Sequence, residues 1–299
     1  MPDIALWHRC NNHCLMCTNS DAFIESSDEM YDASAQISRL LRFSKAGDES
    51  VYPRNGELRD YILFTGGEPT LHPDFLNIIS QFRESFPALP LTLLSNGRTF
   101  AYSRFAGSTL IKLGRPATIA IPIHGYDAKT HDSITRTPGS FTQTLLGLSH
   151  LLKFMKDGQE LEIRFILHKR TIPWLGKTLD FLLRCFPAPA RYRLVLIYFE
   201  MEGQSEKNFQ SVAVPLQECV SLAIEPNLVT FRRFHDFRIY HFPLCTLPED
   251  LRDKAWNSLP SKELCFPLVC HSCALNEKCM GIQTWYPKRF GTGEFEAIK

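Results

Sequence analysis

Short apolar runs recur through the first two thirds of the chain, at Ile4 to Trp7, Tyr61 to Phe64, Leu91 to Leu94, Thr118 to Ile123, Leu161 to Leu167 and Tyr192 to Phe199. Each has the length of a strand. Between them the apolar positions fall at helical spacing: Ala33, Ile37, Leu40 and Leu41, then Phe75 to Phe86, then Phe141, Leu145, Leu148 and Leu151, then Trp174 to Leu183. Strands that alternate with helices predict a parallel sheet joined by right-handed crossovers. The pattern therefore predicts an α/β fold, a partial (β/α)6 TIM-like barrel. In such barrels ligands gather at the C-terminal ends of the strands, and Cys10, Gly66, Ser95 and His124 all lie at or just past those ends.

From Glu202 the alternation stops. The stretch Glu202 to Val214 is polar and irregular, Leu216 to Ile224 reads as a short helix, and Leu228 to Phe242 reads as an aromatic hairpin. This divides the chain into a barrel over 1–201 and a smaller C-terminal domain over 202–299. The charged stretch Ala46 to Arg59, with Gly47, Pro53 and Gly56, is expected to be a surface loop.

Composition narrows the class. With 299 residues and 44% hydrophobic content the chain can bury a sizeable core. A formal net charge of +1, from 33 basic and 32 acidic residues, gives no basic surface for a nucleic acid and no attraction to a membrane. No run has the length of a membrane span and no export signal precedes the first strand, so a cytoplasmic, reducing location is expected. Ten cysteines in that setting point to metal rather than disulfides.

Cys10, Cys14 and Cys17 form C-x3-C-x2-C directly after the first strand. Three thiolates in one turn can hold a four-iron cubane and leave one iron open. The same thiols with His8 or His13 could instead hold zinc. A second motif follows the second strand: Thr65, Gly66, Gly67, Glu68 and Pro69. A glycine pair lets bare backbone approach a ligand, and the Glu68 carboxylate beside it can receive an ammonium group. Alone, this would also serve as a tight turn before a helix.

Together the two motifs resemble those of the radical S-adenosylmethionine (SAM) superfamily. That resemblance implies a [4Fe–4S] cluster on Cys10, Cys14 and Cys17, with SAM chelating its fourth iron and Gly66, Gly67, Glu68 and Pro69 close to the SAM amino group. It implies reductive cleavage of SAM to a 5′-deoxyadenosyl radical that abstracts hydrogen from substrate. Met16 stands where an aromatic residue usually lies against the adenine, and its thioether can pack on a purine. Ser95, Asn96 and Gly97 resemble the family's turn beside SAM. His124 and Asp127 could meet the SAM ribose or the substrate, and one of His168, Lys169 and Arg170 could hold the SAM carboxylate. Ordinary turn, hydrogen-bonding and surface roles remain the alternatives for each.

Cys245, Cys265, Cys270, Cys273 and Cys279 form a second group, with C-x2-C-x5-C inside VCHSCALNEKC. Cys245, Cys270, Cys273 and Cys279 are the preferred ligand set, with Cys265 as a substitute for Cys245. By chemistry alone the site suits iron–sulfur or structural zinc equally. The resemblance implies one auxiliary [4Fe–4S] cluster in a SPASM or twitch-like extension. The aromatic residues Phe231, Phe234, Phe237, Tyr240 and Phe242, clustered before Cys245, read as a hairpin that packs this cluster away from water, with a peptide groove as the alternative. Cys185 and Cys219 read as buried thiols of the core.

The stretches IPIHGYDAKTHDSITRTPGSF, EIRFILHKRTIPWL and IYHFPLCTLPEDL resemble the shorter "C" maturases of His-Xaa-Ser peptide systems. This implies a ribosomally made substrate peptide, a reductant such as flavodoxin or ferredoxin and, with no N-terminal peptide-binding module ahead of residue 10, a partner that recognises the peptide. The alternatives are a radical SAM enzyme for a small molecule or nucleotide, and a non-enzymatic zinc protein on a barrel scaffold.

Overall fold

The computed structural model describes residues 3–38, 61–187 and 192–299. Its centre is an eight-stranded, all-parallel sheet in sequential order: β1 (Asp3–Trp7), β2 (Ile62–Gly66), β3 (Leu91–Leu94), β4 (Ala117–Pro122), β5 (Gln159–Leu167), β6 (Arg193–Tyr198), β7 (Asp236–Tyr240) and β8 (Ala255–Trp256). The first six are the strands expected from the apolar runs. Leu40, Leu41 and the stretch 46–59 lie outside the described residues.

Alternation along the strands separates two faces. Ile4 and Leu6, Ile62 and Phe64, Leu91 and Leu93, Ile119 and Ile121, Leu161, Ile163, Phe165 and Leu167, and Leu194 and Leu196 are buried together in one core. Helices Phe75–Ser85, Ser103–Leu113, Ser140–Phe154 and Leu175–Cys185 supply its other half through Phe75, Ile78, Ile79, Phe82, Leu110, Leu113, Leu148, Leu151, Leu175, Leu179 and Leu182. The intervening positions Leu63, Thr65, Thr92, Leu94, Thr118, Arg164 and Ile166 are half-buried and line the open face of the partial barrel.

Two helices, Ser103–Leu113 and Ala128–Thr135, escaped the hydropathy reading. In the second, the side chain of Asp127 accepts from the backbone N–H of Thr130 and closes a capping box, so local hydrogen bonding rather than an apolar stripe marks its start. Cys185, expected in the core, is exposed; the helix turns Leu182 inward, and the residue that returns to the core is Phe186. Cys219 is buried as expected.

The expected hairpin over 228–242 is corrected. Leu228–Phe231 is a helical turn, and the only strand in that segment, β7, pairs parallel with β6, so the sheet runs on past residue 201. The aromatic residues that suggested the hairpin pack elsewhere: Phe231 stacks on Phe237, Phe234 meets Tyr192, Tyr240 stacks on Trp256 and Phe242 meets Tyr198. The remaining strands, β9 (Leu264–Cys265) and β10 (Ile282–Gln283), form a two-residue antiparallel ribbon. Gln283 donates to the carbonyl of Phe199, and Trp285 stacks on Tyr198, joining this ribbon to the barrel.

Candidate functional site

β1 delivers its chain at Trp7 directly into the loop that carries Cys10, Cys14 and Cys17. β2 extends beside it and fixes the start of that loop. The N–H of Gly67 donates to the carbonyl of Trp7 (2.7 Å) and that of Glu68 to the carbonyl of Arg9 (2.8 Å). The glycines are required by this approach: a Cβ on Gly66, whose φ is +143°, would lie 2.2 Å from the Trp7 oxygen, and one on Gly67 2.5 Å from the carbonyl oxygens of His8 and Arg9. The glycine pair thus seats the cysteine loop on the sheet.

Glu68 is fully buried, and its carboxylate accepts from Thr70 N–H (3.1 Å), Thr70 Oγ1 (2.5 Å), Ser95 Oγ (2.8 Å) and Asn96 N–H (2.6 Å). Burial pushes the Glu68 carboxyl up, against the pull of these donors. Glu68 therefore ties the end of β2 to the Ser95–Asn96–Gly97 turn after β3. From that turn Asn96 reaches back to Asn11 (2.6 Å) and toward Cys10 Sγ (3.8 Å), while Arg98 donates to the carbonyl of Asn11 and to Asn12 Oδ1 (2.8 Å).

The far side of the loop is held as closely. His13 and Leu15 donate backbone N–H groups to the carbonyls of Thr135 and Ile134, at the end of the helix after β4. After β6, Gln204 N–H donates to the Cys17 carbonyl (2.7 Å), Ser205 Oγ to the Met16 carbonyl (2.9 Å) and Asn208 to the Leu15 carbonyl (3.1 Å). Met16 is itself buried in the core.

The three thiols lie within this frame, near enough for Cys10 and Cys17 to act on Cys14 and for Cys17 to act on Cys10. Burial pushes Cys10 up to about 11, with the Glu68 charge next in effect; burial and the charges of Cys10 and Cys17 push Cys14 higher still; burial raises Cys17. Thiols kept neutral chiefly by burial are donors whose ionisation a bound cation would favour. The set fits an iron–sulfur cluster. His8 is unsuited as a fourth zinc ligand, because its two ring nitrogens already meet the Ile24 carbonyl (2.9 Å) and Asp28 (2.6 Å).

His124 and His168, past the ends of β4 and β5, are buried. His131 Nδ1 accepts from the His124 N–H, and His168 Nδ1 accepts from the Arg170 N–H (both 3.2 Å). Among the described residues, His124 Nδ1 and His168 Nε2 have no hydrogen-bond partner. Burial holds the His168 imidazole down at about 3 and that of His124 well below its usual range, so both are neutral at pH 7. Lys169 and Arg170 are exposed.

Cys245, Cys270, Cys273 and Cys279 line one cavity whose walls include Leu244, Phe266, Leu275, Ile282 and Phe295. Cys265 is not among its lining residues. The five aromatic residues expected to shield this site are also absent from its wall; Phe266 and Phe295 take that position. The backbone N–H groups of Leu244 and Gly281 donate to Cys279 Sγ (both 3.4 Å). Burial, and then the neighbouring cysteines, push Cys270 up to about 11. Thr70, Arg98, Ser205 and Asn208 were not picked out from the sequence; the closeness of Thr70 and Arg98 to the two turn motifs was the available signal.

Residues 4–182 match the model of the radical SAM superfamily, and the chain belongs to that superfamily. Its members are enzymes, and membership implies one [4Fe–4S] cluster and SAM. Similar folds occur in Streptococcus suis SuiB bound to precursor peptide SuiA (TM-score 0.57, 16% identity, 79% of this chain and 48% of that one) and in native anSMEcpe with bound AdoMet and Cp18Cys peptide (TM-score 0.50, 15% identity, 79% and 62%). A GTP 3',8-cyclase of Paenarthrobacter nicotinovorans is 26% identical over 139 residues, 45% of this chain and 34% of that protein. The chain thus spans about a third of the cyclase and about half of SuiB. Among the described residues no helix is long and apolar enough to cross a membrane.

Proposed function

We propose that the chain is a peptide-modifying radical SAM enzyme with one auxiliary [4Fe–4S] cluster. The observation that carries the reading is the convergence of Cys245, Cys270, Cys273 and Cys279 on one apolar-walled cavity, in a chain that already holds the Cys10, Cys14 and Cys17 loop. The fold shared with SuiB, whose structure holds a precursor peptide, supports a peptide as substrate; the stretches resembling His-Xaa-Ser maturases favour a peptide of that kind.

In this reading Cys10, Cys14 and Cys17 hold the first cluster, and Met16, Gly66, Gly67, Glu68, Pro69, Ser95, Asn96 and His124 surround SAM. When bound, the pair supplies a 5′-deoxyadenosyl radical for hydrogen abstraction. Glu68 keeps the turn after β3 against the loop, through the bonds its carboxylate accepts from Thr70, Ser95 and Asn96. Neutral His124 and His168 offer unpartnered nitrogens to a polar ligand without adding charge. Cys245, Cys270, Cys273 and Cys279 hold the auxiliary cluster, and the surrounding apolar side chains exclude water from it.

Iron and sulfide analysis after anaerobic reconstitution tests this. About eight irons per chain, falling to about four in Cys10→Ala/Cys14→Ala/Cys17→Ala, is the expected result for two cubanes. About four falling to none would remove the auxiliary cluster. A mass change in a His-Xaa-Ser repeat peptide, with 5′-deoxyadenosine released, is the expected substrate result. The cyclase likeness supports a second reading, a nucleotide or other small molecule as substrate, and turnover of GTP with no change in the peptide would favour it.

A further inference from the structure

Two amides reach toward Cys10 Sγ, and Arg98, which follows the Ser95–Asn96–Gly97 turn, stands behind both. The backbone N–H of Asn12 donates to Cys10 Sγ (3.4 Å), and the carbonyl of that same peptide group, the Asn11 oxygen, accepts from Arg98 Nη1. The side-chain amide of Asn96 directs Nδ2 at Cys10 Sγ (3.8 Å), and its Oδ1 accepts from the backbone N–H of Arg98 (3.0 Å). A donor at the oxygen of an amide withdraws electron density and strengthens the N–H at its other end. Each amide is thus polarised by one residue toward one sulfur.

Arg98 is itself fixed in place. Gly97 before it has φ +82°, and the turn is seated on helix Ser140–Phe154: Thr144 Oγ1 donates to the Asn96 carbonyl (2.9 Å), and a Cβ on Gly147 would lie 2.2 Å from the Gly97 carbonyl oxygen. From the same helix Gln143 Oε1 accepts from Arg98 Nε (2.6 Å), while Asn12 Oδ1 accepts from Nη1 (2.8 Å). These acceptors and the Asn11 carbonyl are neutral amide oxygens, so they orient the guanidinium without cancelling its charge. The opposing charge is Glu68, which accepts from the Asn96 backbone N–H (2.6 Å) and acts on Cys10.

We propose that Arg98 is a positioning residue of the first site: it aims two amide donors at Cys10 Sγ, and its charge raises the reduction potential of a cluster held by Cys10, Cys14 and Cys17. The proposal rests on that ligand set and on membership of the superfamily, and is independent of the substrate. Three thiolates on a four-iron core are net negative, and one electron from an external reductant adds to that charge. Hydrogen bonds to a ligand sulfur, and a fixed cation near it, stabilise the reduced state more than the oxidised one. Arg98 supplies the cation and holds the donors, and so offsets Glu68.

A reductive titration of the reconstituted enzyme with dithionite and mediators, followed by electron paramagnetic resonance, tests the proposal. The wave of the first cluster is the one absent from Cys10→Ala/Cys14→Ala/Cys17→Ala; if that variant loses no wave, the ligand set fails and the proposal with it. At the wild-type midpoint, the ratio of reduced to oxidised first cluster should fall about tenfold in Arg98→Met and stay within about twofold of wild type in Arg98→Lys, which keeps the charge. Gln143→Glu sets a carboxylate against Arg98 from an exposed helix position and leaves the loop's own residues intact. It should lower the ratio about threefold, an effect that shrinks as salt is added. A merely structural Arg98 would alter iron content in its own variants and leave the Gln143→Glu midpoint where wild type has it. An unmoved midpoint in Arg98→Met overturns the proposal, and where that variant holds no iron, an unmoved midpoint in Gln143→Glu does so. Equal shifts in Arg98→Met and Arg98→Lys overturn the role of charge.

Discussion

The two cysteine groups are built by opposite means. The N-terminal loop is held by backbone and side-chain hydrogen bonds from chain that follows β2, β3, β4 and β6, so its shape is fixed by protein. The C-terminal group sits among two-residue strands and single 3-10 turns, with Cys245, Cys270, Cys273 and Cys279 lining an apolar-walled cavity. Where secondary structure is this sparse, metal ligation supplies the cross-links that a hydrogen-bonded ladder supplies elsewhere. The first site is a cradle ordered by hydrogen bonds; on the proposed reading the second is organised by the cluster it would bind.

Removing metal should therefore separate the two regions. In Cys270→Ser/Cys273→Ser, limited proteolysis is expected to cut rapidly within 264–282, while amide exchange in 10–19 stays at the wild-type rate; equal loosening of both regions would break the contrast. Acid should reverse the order. His124, His131 and His168 are held by burial below their ordinary value, the latter two at about 3. Such groups bind fewer protons folded than unfolded, so each removes about 1.4 kcal/mol per pH unit as pH falls below 6.5 toward its folded value. Because Thr135 and Ile134, beside His131, anchor the cysteine loop, amide exchange should rise in 10–19 before 264–282 as the metal-free protein is acidified from pH 6.5 to pH 4.

Two single substitutions sharpen the comparison further. Gly67→Ala forces a methyl group against the carbonyls of His8 and Arg9, and should cost about 1–3 kcal/mol by denaturant melting while lowering the iron bound by the first site only. Ser205→Ala removes one bond to the Met16 carbonyl and should cost about 1 kcal/mol, seen as a small rise in amide exchange in 15–17. An equal effect of both variants on the second site would show that the two regions are mechanically coupled.

The barrel was legible because apolar alternation and helical spacing are local signals: all six expected strands are present, and the cysteine and Gly-Gly-Glu motifs fall at strand ends. What escaped was settled by contacts distant in sequence. β7 carries aromatic residues that read as a hairpin, and only its pairing with β6 makes it part of the sheet. Ala128–Thr135 is announced by a capping box rather than an apolar stripe. Ser205 and Asn208 look like surface residues until the fold brings them onto Leu15 and Met16. The Gly-Gly pair was read as an opening for ligand, and the close passage of β1 supplies a second reason for it.

The clamp over the cysteine loop also sets an order of assembly. Cys10, Cys14 and Cys17 are made nearly two hundred residues before Gln204 to Asn208, the chain that closes over them. Local strands and helices form far faster than such a distant closure. The thiols therefore stay without this cover until the strand and turn through Asn208 have been translated, and a finished cradle exists only after that point.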